Sequence, residues 1–275
     1  MKNSFSPDTE GNSYRHRHHR WLWLAGLLVL WELIRRISGV NPLLMPPLGD
    51  ILKELVHGIF KGMLVRRWLL SMALVCGGLA AGTVLAMILV VISSTGRGAS
   101  SFLSLISSLM HPLPGLALLP LVILWFGTGT PAVLFIIIHA VLWPIFVNLE
   151  SGVRSLAPAW TGYARILKLG RWETFIRISL PGSFPHLIAG IRTGWARSRR
   201  AFIAAEMVFG AVGILGGLGW QLFESRVMMD TPALYSALLV VMLTGVAMEE
   251  IILARWENRV RRKWGEPGDT GMAAE

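Results

Sequence analysis

Cysteine is almost absent: the chain has one, Cys76, inside an apolar run, so neither a disulfide framework nor a cysteine-built metal site is available. Acidic residues are scarce as well, 16 against 26 Lys and Arg in 275 residues, which leaves a net charge of +10. The signatures HExxH and GxSxG are missing and no aspartate pair falls within an apolar run. Beyond the N-terminal tail the histidines are scattered from His57 to His186. An intramembrane enzyme needs converging nucleophile, base or metal ligands, so these absences argue against catalysis and against a metal site. A basic balance with twelve tryptophans could suit a nucleic-acid reader. Such a protein would not carry this much uninterrupted apolar sequence, and no nucleic-acid partner is expected.

What is present is hydrophobic sequence, 53% of the chain, in several runs near the ~20 residues a helix needs to cross a bilayer. The expectation is an all-α, polytopic membrane protein with about six transmembrane helices. The candidate spans are Trp21 to Ile37, Trp68 to Ser93, Leu103 to Phe126, Ala132 to Val147, Ser183 to Phe209 and Ala233 to Ala254. They divide the chain into a basic N-terminal tail (1–20), a six-helix domain (21–254) with a long loop at about 149–182, and a C-terminal tail (255–275). No small-residue cleavage site follows the first run, which is expected to stay as an anchor. The cluster Arg15 to Arg20 (RHRHHR) reads as a topology signal rather than a metal site.

An even number of crossings puts both termini on one side. A cytoplasmic assignment gathers the tail arginines, Arg97, the basic loop and Arg255 to Lys263 on the inner face. Arg35, Arg36, Lys53, Lys61, Arg66 and Arg67 would then face outward, against the charge rule. Glu32 beside Arg35 and Arg36 reads as a snorkelling ion pair. The breaker Asn41 to Pro47 precedes a short amphipathic helix, Leu48 to Phe60. Gly78 and Gly82 form a small-residue face suited to helix packing. Pro112, Pro114 and Pro120 predict a broken third span. Two readings of His111 to Pro120 stand side by side: it lines a route through the membrane, or it is a kink buried between helices.

The polar stretch Gly162 to His186, GYARILKLGRWETFIRISLPGSFPH, interrupts this apolar sequence and ends in Ile178-Ser179-Leu180-Pro181. It resembles the coupling loop of bacterial ABC-importer permeases, where E-A-A, three residues, G, nine residues and I-x-L-P recur. Met45-Pro46-Pro47, His111-Pro112-Leu113-Pro114, Leu119-Pro120-Leu121, Trp125-Phe126-Gly127, Gly190-Ile191-Arg192, Ala204-Ala205-Glu206-Met207 and Gly217-Leu218-Gly219 are similar to recurring pieces of the nitrate, sulfonate and taurine importer permeases. From about Trp21 to Lys263 the chain is therefore similar to that family.

The resemblance implies a type I ABC-importer permease in the bacterial inner membrane. An extracytoplasmic substrate-binding protein delivers a small anion to two permease subunits, and a cytoplasmic ABC ATPase dimer drives the cycle. The second subunit is expected to be another copy of this chain or a related one. ATP and Mg would be bound by the ATPase, with no cofactor in this chain. The alternative is a weakly coupled permease-like subunit beside a more typical partner.

The coupling residues carried over are Tyr163, Ala164, Ile166, Leu167, Lys168, Gly170, Arg171, Trp172, Leu180 and Pro181. With Phe175 and Ile176 the apolar ones could fill a groove on the ATPase, while Arg165, Arg171 and Arg177 form a polar rim. A helix lying on the bilayer is the competing reading. Counting back from Ile178 puts Gly162 where the family has Glu, Tyr163 where it has Ala, and Lys168 where it has the turn glycine. Lys resists positive φ, so the turn is expected to move to Gly170, with a helix over Gly162 to Leu169 and a second one from Arg171.

The fifth span holds Arg192, Arg197, Arg199, Arg200 and Glu206. At about 100° per residue Arg192, Arg199 and Glu206 share one face. Each cation at mid-bilayer costs about 2.5–3.5 kcal/mol on insertion scales, so the stripe should not face lipid. Either His111, Pro114, Arg192, Arg197, Arg199 and Glu206 border a polar passage, or the helix starts deep in the cytoplasm and leaves its arginines among headgroups.

Overall fold

The structure, a computed structural model, describes residues 10–213 and 215–263. Among these the regular structure is helical, without a strand. Helix α1 (Glu10–Ser38) stops at Gly39, whose φ of +59° the missing Cβ permits. The proline-rich breaker follows, then the short α2 (Leu48–Phe60), as the amphipathic pattern predicts. Gly62, at φ +74°, turns the chain into α3 (Met63–Thr95). After Gly96 comes α4 (Arg97–Met110).

The third expected span is two helices. Pro112 and Pro114 each lack the amide that would continue α4, and the chain turns through 90° before a 3-10 turn (Gly115–Leu118) and α5 (Leu119–Phe126). Pro120 lies in the first turn of α5, where a missing N–H costs nothing. The fourth span, expected to end at Val147, is part of a 37-residue helix, α6 (Thr130–Ile166). It carries the chain straight from the membrane into the polar loop. The loop continues as α7 (Arg171–Thr174), a wide π-type turn (Phe175–Ser179) and α8 (Leu180–Gly182). Then come α9 (Phe184–Phe209), α10 (Leu218–Val227), α11 (Thr231–Val246), a π-type segment (Ala247–Leu253) and α12 (Ala254–Lys263).

Three helices, Met63–Thr95, Thr130–Leu156 and Thr231–Val260, are long and apolar enough to cross a membrane, and the bent pair can form a fourth span. The other two expected spans, in α1 and α9, are helices too, but each carries several charged residues.

The centre of the bundle is α6 against α3 and α9. Ile136, Ile137, Val141, Ile145, Phe146 and Leu149 of α6 are fully buried with Trp195 and Phe202 of α9. Lipid is as apolar as these side chains, so close packing rather than the hydrophobic effect must hold the helices together. Small residues allow it. A Cβ on Gly82 would sit 2.7 Å from Val141 Cγ1, and one on Gly190 would sit 3.0 Å from Ile145 Cα. The packing role expected for Gly78 and Gly82 is what they have: both lie against α6, at Ile137 and Val141. At the far side α1 is tied in by Trp31, which packs edge-on against Tyr235 at 5.3 Å and donates to Pro46 O at 3.3 Å. Glu32 pairs with Arg35 and Arg36 within α1.

Candidate functional site

The loop end is built by one well-formed helix stop. The Leu169 N–H donates to Ala164 O at 2.9 Å across Lys168, whose φ is +52°. This is the six-to-one bond of a Schellman motif, with Lys168 in the left-handed position. The turn has therefore not moved to Gly170, and α6 ends at Ile166 rather than Leu169. Left-handed φ costs a side-chain-bearing residue about 1–2 kcal/mol, and the capping bond returns about 0.5–1.5 kcal/mol. Satisfying an end carbonyl of the 37-residue helix thus offsets most of the cost of holding lysine where glycine would be easier. Gly170 instead opens α7. Its carbonyl accepts from the Thr174 N–H and Thr174 Oγ1, both at 2.9 Å, and its own N–H donates to Glu173 Oε2 at 3.3 Å. A glutamate three residues into a helix and reaching back to the cap is half of a capping box. Arg171 begins this helix, as expected.

Four apolar side chains of the loop point outward: Ile166 is 77% exposed, Leu167 64%, Trp172 52% and Ile176 44%. Phe175 does not join them. It is buried in the core, with Trp172 stacked on it at 5.7 Å. Ala164 is buried too, Leu180 packs against the core, and Pro181 is half-buried. The side chains of Tyr163, Arg165 and Arg171 lie outside the described residues. Arg177 is held 3.7 Å from Glu173.

At the bend between α4 and α5 the structure brings together three of the expected passage residues. His111, Pro114 and Arg197 border one cavity of about 460 Å³, shared with Arg200, His139 and Trp143. Arg197 Nη1 donates to His111 O at 3.3 Å, and its Nη2 lies 3.4 Å from His111 Nε2. The guanidinium thus spans from α9 to the carbonyl end that the prolines leave open. His139 and Trp143, four residues apart on α6, were not singled out in the sequence. Their signal was the one polar pair sharing a helical face in an apolar run.

Arg192, Arg199 and Glu206 do share a face of α9, but that face is turned into protein and not toward the cavity. Arg192 Nη1 lies 3.1 Å from Glu257 Oε2 on α12. Arg199 Nη2 lies 3.2 Å from Glu249 Oε1, its Nη1 donates to Val241 O at 3.4 Å, and Gly245 leaves room for the guanidinium. Glu206 is fully buried and accepts from Gly217 N–H at 2.6 Å, Gly219 N–H at 3.0 Å and Trp220 N–H at 3.3 Å. These amides open α10, so the carboxylate satisfies orphan donors at a helix start. Of the four charges expected along the passage, only Arg197 borders this cavity, and the other three form a seam between α9 and the last third of the chain.

Residues 73–262 match the family model of the binding-protein-dependent transport system inner membrane component. The chain belongs to this family. It is similar to the nitrate import permease protein NrtB of Synechocystis sp., with 27% identity over 83% of this chain and 84% of the relative. It is also similar to the putative aliphatic sulfonates transport permease protein SsuC of Bacillus subtilis, with 21% identity over 92% and 95%. The taurine transport system permease protein TauC of Escherichia coli shares 25% identity over 85% and 90%. The protein is a multi-pass, all-α permease of the inner membrane and not an enzyme family member.

Two sequence pieces of the permease gain a physical reason from the seam. A Cβ on Gly217 would sit 2.5 Å from Ser71 Oγ and 2.6 Å from Glu206 Oε2, and one on Gly219 would sit 2.7 Å from Ile203 O. Gly-Leu-Gly is needed so that the start of α10 can lie directly on Glu206. Ser71, which the sequence did not point to, is 1% exposed and receives the intervening Leu218 N–H at 2.8 Å.

Proposed function

We propose that this permease is the translocating subunit of an importer for a small anion such as nitrate or a sulfonate, driven by a separate ABC ATPase dimer. The observation that carries the reading is the loop end. Ile166 and Leu167 at the end of the central membrane helix α6, and Trp172 and Ile176 just beyond the Lys168 turn, are exposed apolar side chains within eleven residues of one another in the chain. An apolar patch held on a rigid support is what docking into a groove of a second protein requires. A helix lying on lipid would gain the same burial, but it would need no fixed geometry. The Lys168 turn and the Glu173 cap hold that geometry despite the changed residues. They also weaken the alternative of a poorly coupled subunit, which rested on those changes.

In this reading the loop end and both termini are cytoplasmic, with ATP and Mg bound by the ATPase. A substrate-binding protein delivers the anion on the opposite side. A second permease, taken to be another copy of this chain, supplies the second docking loop. The nitrate, sulfonate and taurine named for its relatives point to the anion. Co-purification of the permease with its ATPase tests the docking face: Ile166→Asp with Trp172→Asp should cut recovered ATPase at least tenfold without lowering permease yield. Undiminished recovery would leave the patch to the lipid surface.

A further inference from the structure

We propose that the cavity at the α4–α5 bend is a binding site within the permease for a compact oxyanion that carries no ammonium group, held by Arg197, Arg200, His139 and Trp143. It deepens, and rests on, the reading of this chain as an anion translocator.

The lining is rich in donors that have nothing to donate to. Trp143 is 8% exposed, and its Nε1 is buried without a hydrogen-bond partner. Both ring nitrogens of His139 are in the same condition. Buried polar atoms are normally paired, so three orphans in two side chains that border one cavity, each closed off from its open space in this structure, indicate a missing partner. The described contacts of Arg197 are to His111 alone, and that of Arg200 is its own helix's Ala196 O at 3.0 Å. Among the described residues no carboxylate lines the cavity. Arg199, one residue away, reaches Glu249, so an available carboxylate is used where the fold supplies one.

The chemistry of this set defines its ligand. Indole and guanidinium groups only donate, and neutral imidazole donates from one nitrogen. A ligand that satisfies them must be acceptor-rich and anionic, as nitrate, bicarbonate and sulfonates are. An ammonium group placed among two guanidiniums would meet repulsion with no carboxylate to offset it. The nitrate and alkanesulfonate types therefore fit, and the zwitterion taurine does not. Met110, Leu113 and Leu116 on the remaining wall leave room in about 460 Å³ for a short alkyl tail. His139 is about 14 Å along α6 from Thr130 and Arg197 about 20 Å along α9 from Phe184, which puts the site part-way along both helices, with Pro112, Pro114, Leu116 and Arg200 at its exposed mouth.

The test is equilibrium binding of radiolabelled methanesulfonate and nitrate to the permease–ATPase complex in nanodiscs, with the binding protein left out. Saturable retention is expected, with taurine competing at least tenfold more weakly than methanesulfonate. Trp143→Phe and Arg197→Gln should each weaken retention at least tenfold, with unfolding temperature unchanged for Trp143→Phe. Equal competition by taurine overturns the ammonium rule without any variant, and absent retention or unchanged affinity in both variants overturns the site. Anion uptake by the full importer, measured in parallel, separates the two readings. Uptake without retention removes the site alone, whereas retention without uptake of any anion removes the proposed transport and leaves the site standing.

Discussion

Two faces of α9 carry the same residue type and do opposite things. On one face Arg192, Arg199 and Glu206 are each met by protein: Glu257, Glu249 with a backbone carbonyl, and three backbone amides. On the other, Arg197 and Arg200 border a cavity without a carboxylate. Charge inside a membrane protein thus has two uses. Where the fold supplies the counter-group, the charge fixes helices to one another. Where it does not, the charge is open to something that comes and goes. The distinction depends on where the partner sits, and residue type does not reveal it.

The largest effect should come from removing Glu206. Glu206→Leu strands the amides of Gly217, Gly219 and Trp220, each worth about 1–3 kcal/mol when buried and unpaired, so the unfolding temperature in detergent should fall steeply. Glu206→Gln keeps one acceptor oxygen and should lose about half as much. A Glu206→Gln protein with wild-type stability but no transport would move this residue back into the passage. Next is Arg199→Met, which leaves Glu249 without its partner. That carboxylate side chain is 33% exposed, so water recovers part of the loss and about 1–2 kcal/mol of destabilisation is expected by chemical denaturation. The smallest effect is expected for Arg192→Ala. Its own side chain is 45% exposed, and Glu257, though only 12% exposed, keeps a further interaction when Arg192 is removed, so the pair is expected to contribute about 0–1 kcal/mol. Thermal scans should barely separate it from wild type, and a drop as large as that of Arg199→Met would show that the α9–α12 contact is drier than its exposure indicates.

Much of this architecture was legible in the sequence. Apolar run lengths gave helical structure at all six expected spans, of which three, and a fourth as a bent pair, are long and apolar enough to cross a membrane; prolines gave the break in the third, and seven-residue spacing put three charges of α9 on one face. What the spacing could not give was the identity of the neighbour. Glu206 lies eleven residues before Gly217 in the chain, but only the path of the connecting loop brings those amides back onto it. The turn falls at Lys168 and not at Gly170 because one residue's φ preference is only part of the balance. The end of the helix, with its unpaired carbonyls, outweighed that preference. His139 and Trp143 escaped notice because membrane sequence is read for its apolar content, and three polar atoms scarcely change it. Their significance is in being unpaired, a property of three dimensions only.

Because α6 is a single rod of about 55 Å, it behaves as a lever. At Ile145 Gly190 brings α9 against its backbone, and this is a natural fulcrum. From there the arm to Ile166 is about 32 Å and the arm to His139 about 9 Å, on opposite sides. A sideways movement of about 5 Å imposed on the loop would shift His139 by roughly 1.5 Å and Trp143 by roughly 0.5 Å, both in the reverse sense. That is a reduction gear: a coarse stroke at one end becomes a displacement of hydrogen-bond scale at the other, enough to make or break contacts at the cavity without opening the bundle.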